Sequence, residues 1–168
     1  DLYDPYDPFS IQDGHGKLST DQIKNLSPIL IRQASIYPEG RMLAIALKGI
    51  DAEQEILEIP SAQLQNNEAN FPVIIGERMA ETAKLKKGDK VLLRWRDKNG
   101  TFDAASVTIA DIFKTDLASV DNGQFWIDIN RLWEMTGLEN HATLLVANEA
   151  YQAQNIEGWT FKNQEDLL

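Results

Sequence analysis

The sequence lacks cysteine and has only two histidines among its 168 residues. The absence of cysteine excludes a disulfide scaffold, a thiolate metal site and a cysteine nucleophile. Apolar runs are short: LAIAL at 43–47, among the longest, is well below the about 18 residues that a membrane-spanning helix needs. No basic segment followed by an apolar one opens the chain. Because the first residue is Asp1 rather than Met, we expect a piece of a longer protein.

Positive charge is also scarce. Lys and Arg number 16 against 26 Asp and Glu, a formal net charge of −10, so a nucleic-acid partner is not expected. The distribution is uneven: residues 1–16 hold four Asp and no basic residue, whereas 84–98 hold seven of the 16 basic residues against two Asp. We interpret the basic stretch as the solvated face of a hairpin, which discourages strand aggregation. A docking surface for an acidic partner is the alternative.

Hydrophobic periodicity predicts several strands and hairpins. The predicted strands are 29–37, 41–50, 72–75, 89–96, 101–113, 123–129 and 141–148, with a short one around 159–161. The Asn-Gly pair in DKNG predicts a hairpin turn at 97–100. In DKVLLRWR the alternation predicts that Val91, Leu93 and Trp95 share one face.

Helices are predicted between these strands. Their predicted ranges are 19–27 with a capping box and a stop at Pro28, 51–59 capped by Asp51, 77–85 with a stop at Gly88, and 130–137 capped by Asn130 and ended by Gly137. The stretch 61–70 is predicted to be a polar loop and 1–16 an irregular lead-in. Plentiful hairpins favour an α+β fold with mixed or antiparallel sheets, organised as a single domain over 1–168.

No residue pattern indicates a catalytic, cofactor or metal site. Gly76 ends an apolar strand before a helix, but the stretch lacks the further glycines and the Lys-Ser/Thr pair of a phosphate-binding loop, so a tight turn is predicted. A histidine base needs an orienting carboxylate and a nucleophile nearby. Asp13 is close to His15, but both lie in the irregular lead-in, and His141 opens a strand after a polar turn, so both histidines are predicted to be surface residues.

The remaining candidates are the acidic lead-in and the aromatic residues. The lead-in offers oxygen ligands for calcium but lacks the alternating pattern and closing Glu of an EF-hand loop. Four tryptophans, at 95, 126, 133 and 159, are predicted to pack in the core.

Four ordered segments carry a family resemblance. They are GIDAEQE at 49–55, VIIGERMAETAKLKKGDKVLL at 73–93, VTIADIFKTDLASVDNGQFWIDI at 107–129 and HATLLVAN at 141–148. Their order and spacing, with the lead-in YDPYDPFSIQD, resemble the extracytoplasmic core domain of FtsX/MacB-like ABC transporter permeases, in particular the LolC/LolE type. The segment after Ala147 is shorter than is usual in that family, and a long hook-like docking loop is not evident.

The resemblance implies a mixed α/β lobe with a smaller β-rich inserted lobe, here around 70–115, located between the first and second membrane helices of a permease. It also implies a non-catalytic role, in which the domain transmits ATP-driven motion to a periplasmic protein or lipoprotein, for lipoprotein release or related export. The implied partners are a cytoplasmic ABC ATPase, reached through the full-length permease, and a second permease chain. The implied location is the periplasmic side of the inner membrane.

Two other functions remain open at this point. A secreted or cell-surface module that binds protein or glycan would require an exposed aromatic groove. A metal-dependent hydrolase would have to be built on the Asp-rich lead-in.

Overall fold

The computed structural model describes residues 16–17, 26–54, 57, 59–65 and 70–147. Its strands are β1 (Gly16–Lys17), β2 (Leu26–Ile36), β3 (Leu43–Ile50), β4 (Pro72–Gly76), β5 (Lys90–Arg96), β6 (Phe102–Phe113), β7 (Gln124–Asp128), β8 (His141–Ala142) and β9 (Leu144–Ala147). The α-helices are α1 (Glu77–Ala83), α2 (Ala118–Asp121) and α3 (Ile129–Thr136), and 3-10 turns cover Pro38–Gly40 and Ser61–Gln65.

Six strands form a closed ring. The main sheet has the order β3-β7-β4-β6-β5-β2-β9, and an additional pairing of β2 with β3 closes it. One edge of β2 pairs with β3 over Ile29–Ile36, while its other edge pairs with β5 over Ala34–Ile36 and with β9 over Leu26–Ile29. The pairs β3–β7 and β4–β6 are parallel, and the others in the ring are antiparallel. The result is a small mixed barrel with β9 added beside β2.

The two ends of the barrel are covered by helices. We call the end at which β2 begins the proximal end. Strand directions place the last residue of β3 and of β7 at this end, so α3, which follows β7 directly, lies there. Strand β4 runs opposite to β7, so α1, which follows β4, lies at the distal end.

The core consists of two apolar clusters, one inside the ring and one outside it. The inner cluster includes Leu47, Leu93 and Phe125 from the strands, Met79 from α1 and Leu132 from α3. The outer cluster covers part of the sheet's outer surface, and its members include Ile74, Trp126, Ile59 and Leu64. Where another segment covers the outer surface of the sheet, apolar side chains on both faces of a strand are therefore buried. Elsewhere only the side chains on the inner face are buried.

The α+β fold class is confirmed, as are the strands predicted around 29–37, 41–50, 72–75, 89–96, 101–113, 123–129 and 141–148. The last of these is interrupted at Thr143, whose hydroxyl accepts a hydrogen bond from the Ile31 amide. The described strands within 70–115 all belong to the main sheet. The division of 1–168 into a body and a β-rich sublobe stays a prediction.

Several local predictions are wrong. A helix was predicted over 19–27, but Leu26 and Ser27 lie with Pro28 in β2. Pairing with β9 there outweighs the local capping signal. The rest of the predicted helix is outside the described residues. At 51–54 the chain forms a turn instead of a helix, since the Asp51 carboxylate accepts from the Glu53 amide two residues on. The predicted polar loop contains the 3-10 turn Ser61–Gln65, because Leu64 is buried in the outer cluster.

Helix boundaries also differ from the predictions. Helix α1 ends at Ala83, and its C-cap is Lys84, in the left-handed region with φ of 56°, whereas the predicted stop was Gly88. Helix α3 is capped by Asp128, whose side chain accepts from the Asn130 amide, and it ends as predicted at Gly137. No helix in the described part of the chain is long and apolar enough to cross a membrane.

Candidate interaction surface

The β5–β6 hairpin is fixed by its turn. The Asp97 carboxylate accepts from the amides of Asn99 at 2.8 Å and Thr101 at 2.9 Å, and Gly100 adopts a φ of 79°. Asparagine followed by glycine suits this backbone because glycine enters the left-handed region without steric cost. The turn sets the register in which Arg96 is the partner of Phe102 and Arg94 that of Ala104.

The inner face of the hairpin is anchored in the core. Val91, Leu93 and Trp95 are all buried, as their alternation predicted. The indole nitrogen of Trp95 donates to the carbonyl of Met135 at 3.2 Å, which links the hairpin to α3. Phe71 packs beside Trp95 with ring centroids 6.5 Å apart. The hairpin is therefore a rigid part of the barrel wall.

The outer face of the hairpin combines exposed apolar side chains with arginines. Leu92 is 45% exposed and Phe102 is 54% exposed. The guanidinium carbon of Arg94 lies 4.0 Å from the centroid of the Phe102 ring, and that of Arg96 lies 5.2 Å from it. Such cation–π contacts hold an exposed ring in place with about 0.5–1 kcal/mol each. The stacked groups present an exposed apolar surface edged with positive charge.

This outer face continues onto β2 and β3. Register places Ser35 beside Arg94 and Ala44 beside Ser35, so small side chains extend the row. Met42, immediately before β3, is 64% exposed. We name this patch the hairpin face and define it by the outward residues Lys90, Leu92, Arg94, Arg96, Phe102, Ala104, Ser35, Ala44 and Met42. These residues include three basic side chains and no acidic one.

Gly76 has a structural role. The carboxylate of Asp121, which is 1% exposed, accepts from the backbone amides of Arg78 and Met79 at 3.1 Å each, at the start of α1. A Cβ added at Gly76 would lie 2.1 Å from Oδ1 of Asp121. The place where a phosphate loop would hold an anion is thus filled by the chain's own carboxylate. The prediction of a tight strand-to-helix turn is confirmed, and the reason for the glycine is the approach of Asp121.

Other sequence candidates have structural surroundings. His141 is half-buried in β8, and its carbonyl accepts from the Trp133 indole at 2.7 Å. Trp95 and Trp126 are buried as predicted, and Trp133 is half-buried against the inner cluster. His15, Trp159, the Asp-rich lead-in before Gly16 and the predicted strand at 159–161 lie outside the described residues.

Within the described residues, no group of three potential ligands is placed to hold a metal. The metal-hydrolase alternative depends on the lead-in, so it stays a prediction. Of the described aromatic side chains only Phe102 is exposed. The tryptophans of this part do not form the aromatic groove that a glycan-binding module requires.

A half-buried lysine was not singled out by sequence reasoning. The Lys48 ammonium lies 5.1 Å from the centroid of the Trp126 ring, on the outward side of β3. Burial lowers the pKa of Lys48 from 10.5 to about 8. The alternation of β3 places this lysine on the face opposite to Leu47, but only the tertiary structure shows that it is desolvated beside Trp126.

A comparison with known structures finds a similar fold. The chain is similar to the extracellular domain of the noncanonic ABC-type transporter YknZ from Gram-positive bacteria, with a TM-score of 0.50, 13% identity, and coverage of 80% of this chain and 74% of that one. At this identity the likeness concerns the fold. No model of a protein family matches the sequence, and no curated protein does.

Proposed function

We propose that the chain is the extracytoplasmic domain of an ABC transporter permease, of the FtsX/MacB-like kind and the LolC/LolE type in particular. It transmits ATP-driven motion from membrane-anchored segments to a periplasmic protein or lipoprotein. Its partners are a second permease chain and, through the full-length permease, a cytoplasmic ATPase. The domain itself makes and breaks no bonds. The shared fold with a transporter's extracellular domain supports this proposal.

The observation that carries the proposal is that the first residue of β2 and the last residue of β9 are neighbours. Leu26, at the start of β2, and Ala147, at the end of β9, are Cα partners. The polypeptide thus enters and leaves the sheet at one end, the proximal end. A body inserted between two membrane helices needs this arrangement, because both flanking segments must reach the same bilayer. A rigid body with neighbouring attachment points moves as one unit when those points move.

The hairpin face is the docking surface in this proposal. Its exposed Leu92 and Phe102 supply apolar contact, and its arginines attract an acidic partner. The inner side of the same hairpin is held in the core by Trp95 and its hydrogen bond to α3. A force applied to the hairpin face is therefore transmitted directly to the barrel.

The proposal is tested by labelling in whole cells. The turn residue Asn99 is exposed, and the chain has no cysteine, so Asn99→Cys in a cysteine-free full-length parent gives one reporter. We expect a membrane-impermeant maleimide to label it in intact cells, and the gene to encode one membrane span before Asp1 and three after Leu168. Labelling that requires permeabilised cells, or a parent without membrane spans, would refute the proposal. A buried site such as Leu93→Cys serves as the unlabelled control.

A further inference from the structure

The first half of β6 is paired on one edge only. Strand β5 pairs with β6 from Phe102 to Thr108, whereas β4 pairs with the other edge only from Thr108 onward. Phe71, immediately before β4, has a φ of 53°, so the extended run of β4 does not continue beside residues 102–106. Within the part of the chain that the structure describes, no strand pairs with this stretch on that edge. We call residues 102–106 on this side the open edge.

Backbone polar groups of the open edge point away from β5. In an antiparallel ladder, hydrogen-bonded pairs alternate with pairs whose amides and carbonyls face the other side. The amide of Asp97 donates to the carbonyl of Thr101, which continues the register of the hairpin, so the odd-numbered residues of β6 are those bonded to β5. Residues 102, 104 and 106 therefore present their amides and carbonyls to the open side. The amide of Thr108 does the same, and it donates to the carbonyl of Phe71 at 3.0 Å.

One amide of the open edge has a local partner. The amide of Ala104 donates to the carboxylate of Asp103 at 2.8 Å. Charged residues on exposed strand edges protect a protein against uncontrolled pairing with other chains. Because Asp103 is exposed, an incoming strand has to displace only this side chain to reach the central amide.

We propose that the open edge binds an extended acidic segment of a second protein, which adds a strand beside β6. Backbone hydrogen bonds to residues 102, 104 and 106 supply affinity, and the side chains on the two faces of the added strand select its sequence. The identity of that protein rests on the proposed function, in which it is the periplasmic partner. The pairing itself does not depend on that function.

The outward side of the added strand faces positive charge. Ala104 points outward beside its Cα partner Arg94, and its small side chain leaves space above it. Neighbouring strands are about 4.8 Å apart, so the added strand lies about 10 Å from β5, a distance that the side chains of Arg and Glu span together. Arg94 is exposed and is held over the Phe102 ring at 4.0 Å, which positions its guanidinium for a carboxylate.

The inward side of the added strand faces the rim of the core. Ala105 is partly buried against the inner cluster, so a side chain opposite it is expected to be apolar. Side chains of a strand alternate between its two faces. The open edge therefore selects a segment in which acidic and apolar residues alternate.

Amide hydrogen exchange on the 168-residue chain tests the pairing. The probe is an acetylated and amidated peptide of four Glu-Val repeats. At saturation it should slow the exchange of the Phe102 and Ser106 amides by about tenfold or more, because these face the open side. The amides of Asp103 and Ala105, which face β5, should change little. Exchange of Phe102 and Ser106 that is unchanged by bound peptide would overturn the proposal.

Two N-methylated versions of the peptide separate backbone pairing from charge attraction. In an antiparallel addition the amides of the outward Glu residues face β6, and in a parallel addition those of the inward Val residues do. Methylation of one set should therefore reduce affinity by about tenfold or more, while methylation of the other set leaves it nearly unchanged. Equal affinity of the two versions would overturn the proposal.

Charge substitutions test which peptide is selected. Arg94→Glu should weaken binding of the Glu-Val peptide by about five- to tenfold. Lys114→Glu, the same change of charge beyond the far end of β6, should alter it by less than about twofold, because salt screens charges that are far apart. Asp103→Ala releases the Ala104 amide and removes a negative charge, so it should tighten binding by about two- to fivefold. Equal effects of the two reversals would refute selection by Arg94.

A second copy of this chain is the competing occupant of the open edge. Slow exchange of Phe102 and Ser106 that appears without peptide, and increases with the concentration of the chain, would assign the edge to self-association and overturn the proposal. These measurements need neither a membrane nor transport. Their failure would leave the proposed permease function untouched, and failure of the cell labelling would leave the strand addition untouched.

Discussion

At the scale of single residues, Gly76 and Asp121 depend on each other. The carboxylate supplies two acceptors to the first amides of α1, which no residue of the helix itself caps with a side chain. The guanidinium of Arg78 lies 3.6 Å from the same carboxylate. Residues 45 positions apart in sequence thereby fix the angle between α1 and the segment before β7. Sequence patterns for helix capping, which act within four residues, contain no signal for such a contact.

This dependence predicts a strong coupling between two substitutions. Gly76→Ala is expected to cost about 1–3 kcal/mol of unfolding free energy, because its methyl group displaces the buried carboxylate. Asp121→Ala costs about 1–3 kcal/mol by leaving buried amides without their acceptor. The double variant should be much less destabilised than the sum, as measured by urea unfolding. Strictly additive costs would show that the two residues do not interact as described.

Lys48 gives the molecule a pH-dependent stability. Burial lowers its pKa from the ordinary lysine value of 10.5 to about 8 in the folded chain. Between these values the unfolded state binds more protons than the folded state, so the contribution of Lys48 to stability rises as the pH rises from about 8 to 10.5. Below pH 8 both states carry the proton, and the contribution is constant and least favourable.

The lysine is tested by comparison with Lys48→Met, which fills similar space without a charge. The unfolding free energy of the unmodified chain minus that of the variant should increase through the window from pH 8 to pH 10.5. Urea titrations at each pH measure this difference. A difference that stays constant with pH would contradict the lowered pKa.

At the scale of elements, the hairpin shows how alternation separates buried side chains from exposed ones. Successive residues of β5 point to opposite sides of the wall, and the inward ones are buried while Leu92 and Arg94 are exposed. Substitutions on the outer side are therefore expected to leave the barrel intact. Substitutions on the inner side change the barrel itself.

Two neighbouring leucines provide the matched test. Leu93→Ala, at a fully buried position, should cost about 2–5 kcal/mol. Leu92→Ala, at a position 45% exposed, should change stability by about 0.5 kcal/mol or less. Denaturant midpoints with unchanged slopes measure both effects. Similar costs for the two would mean that the outer face is covered by another part of the chain to an extent that also stabilises the fold.

At the scale of the whole molecule, closure of the ring encloses one core and leaves Leu26 and Ala147 adjacent. Helix α3 fills the proximal end and α1 the distal end, so side chains from both helices meet in the inner cluster. Interiors packed in this way transmit displacement with little compression. A body of this kind suits transmission of motion, which is the role proposed above.

The adjacency of the start of β2 and the end of β9 predicts that these two strands can be joined covalently. Ser27 and Val146 are Cα partners on β2 and β9, so Ser27→Cys with Val146→Cys should form a disulfide. The bond should stabilise the isolated chain by about 2–4 kcal/mol. In the proposed full-length permease, oxidised and reduced forms should transport equally well, because the rigid body does not need to open there. Transport by the reduced form alone would contradict motion as a rigid unit.

Elements with strong local patterns were predicted, and those that depend on distant partners were not. The hairpin followed from alternation and the Asn-Gly turn, and β4 with α1 followed from an apolar run and a helical face. The predicted helix was wrong at Leu26–Pro28, where a segment with helix signals pairs with β9 instead. The predicted polar loop was wrong at Leu64, which is buried in the outer cluster. In the candidate surface, the pairing of Arg96 with Phe102 was implicit in the turn, but their exposure was not.

The sequence by itself determined the strands, the hairpin register, the missing cysteine chemistry and the opposite charges of the lead-in and of β5, because these depend on residues close together in the chain. Only the tertiary structure decided that six strands close into a ring, that Asp121 caps α1, that Lys48 is desolvated and that Leu26 and Ala147 are neighbours. Each of these requires two segments far apart in sequence to meet, and local patterns do not encode which of the available partners buries the most surface.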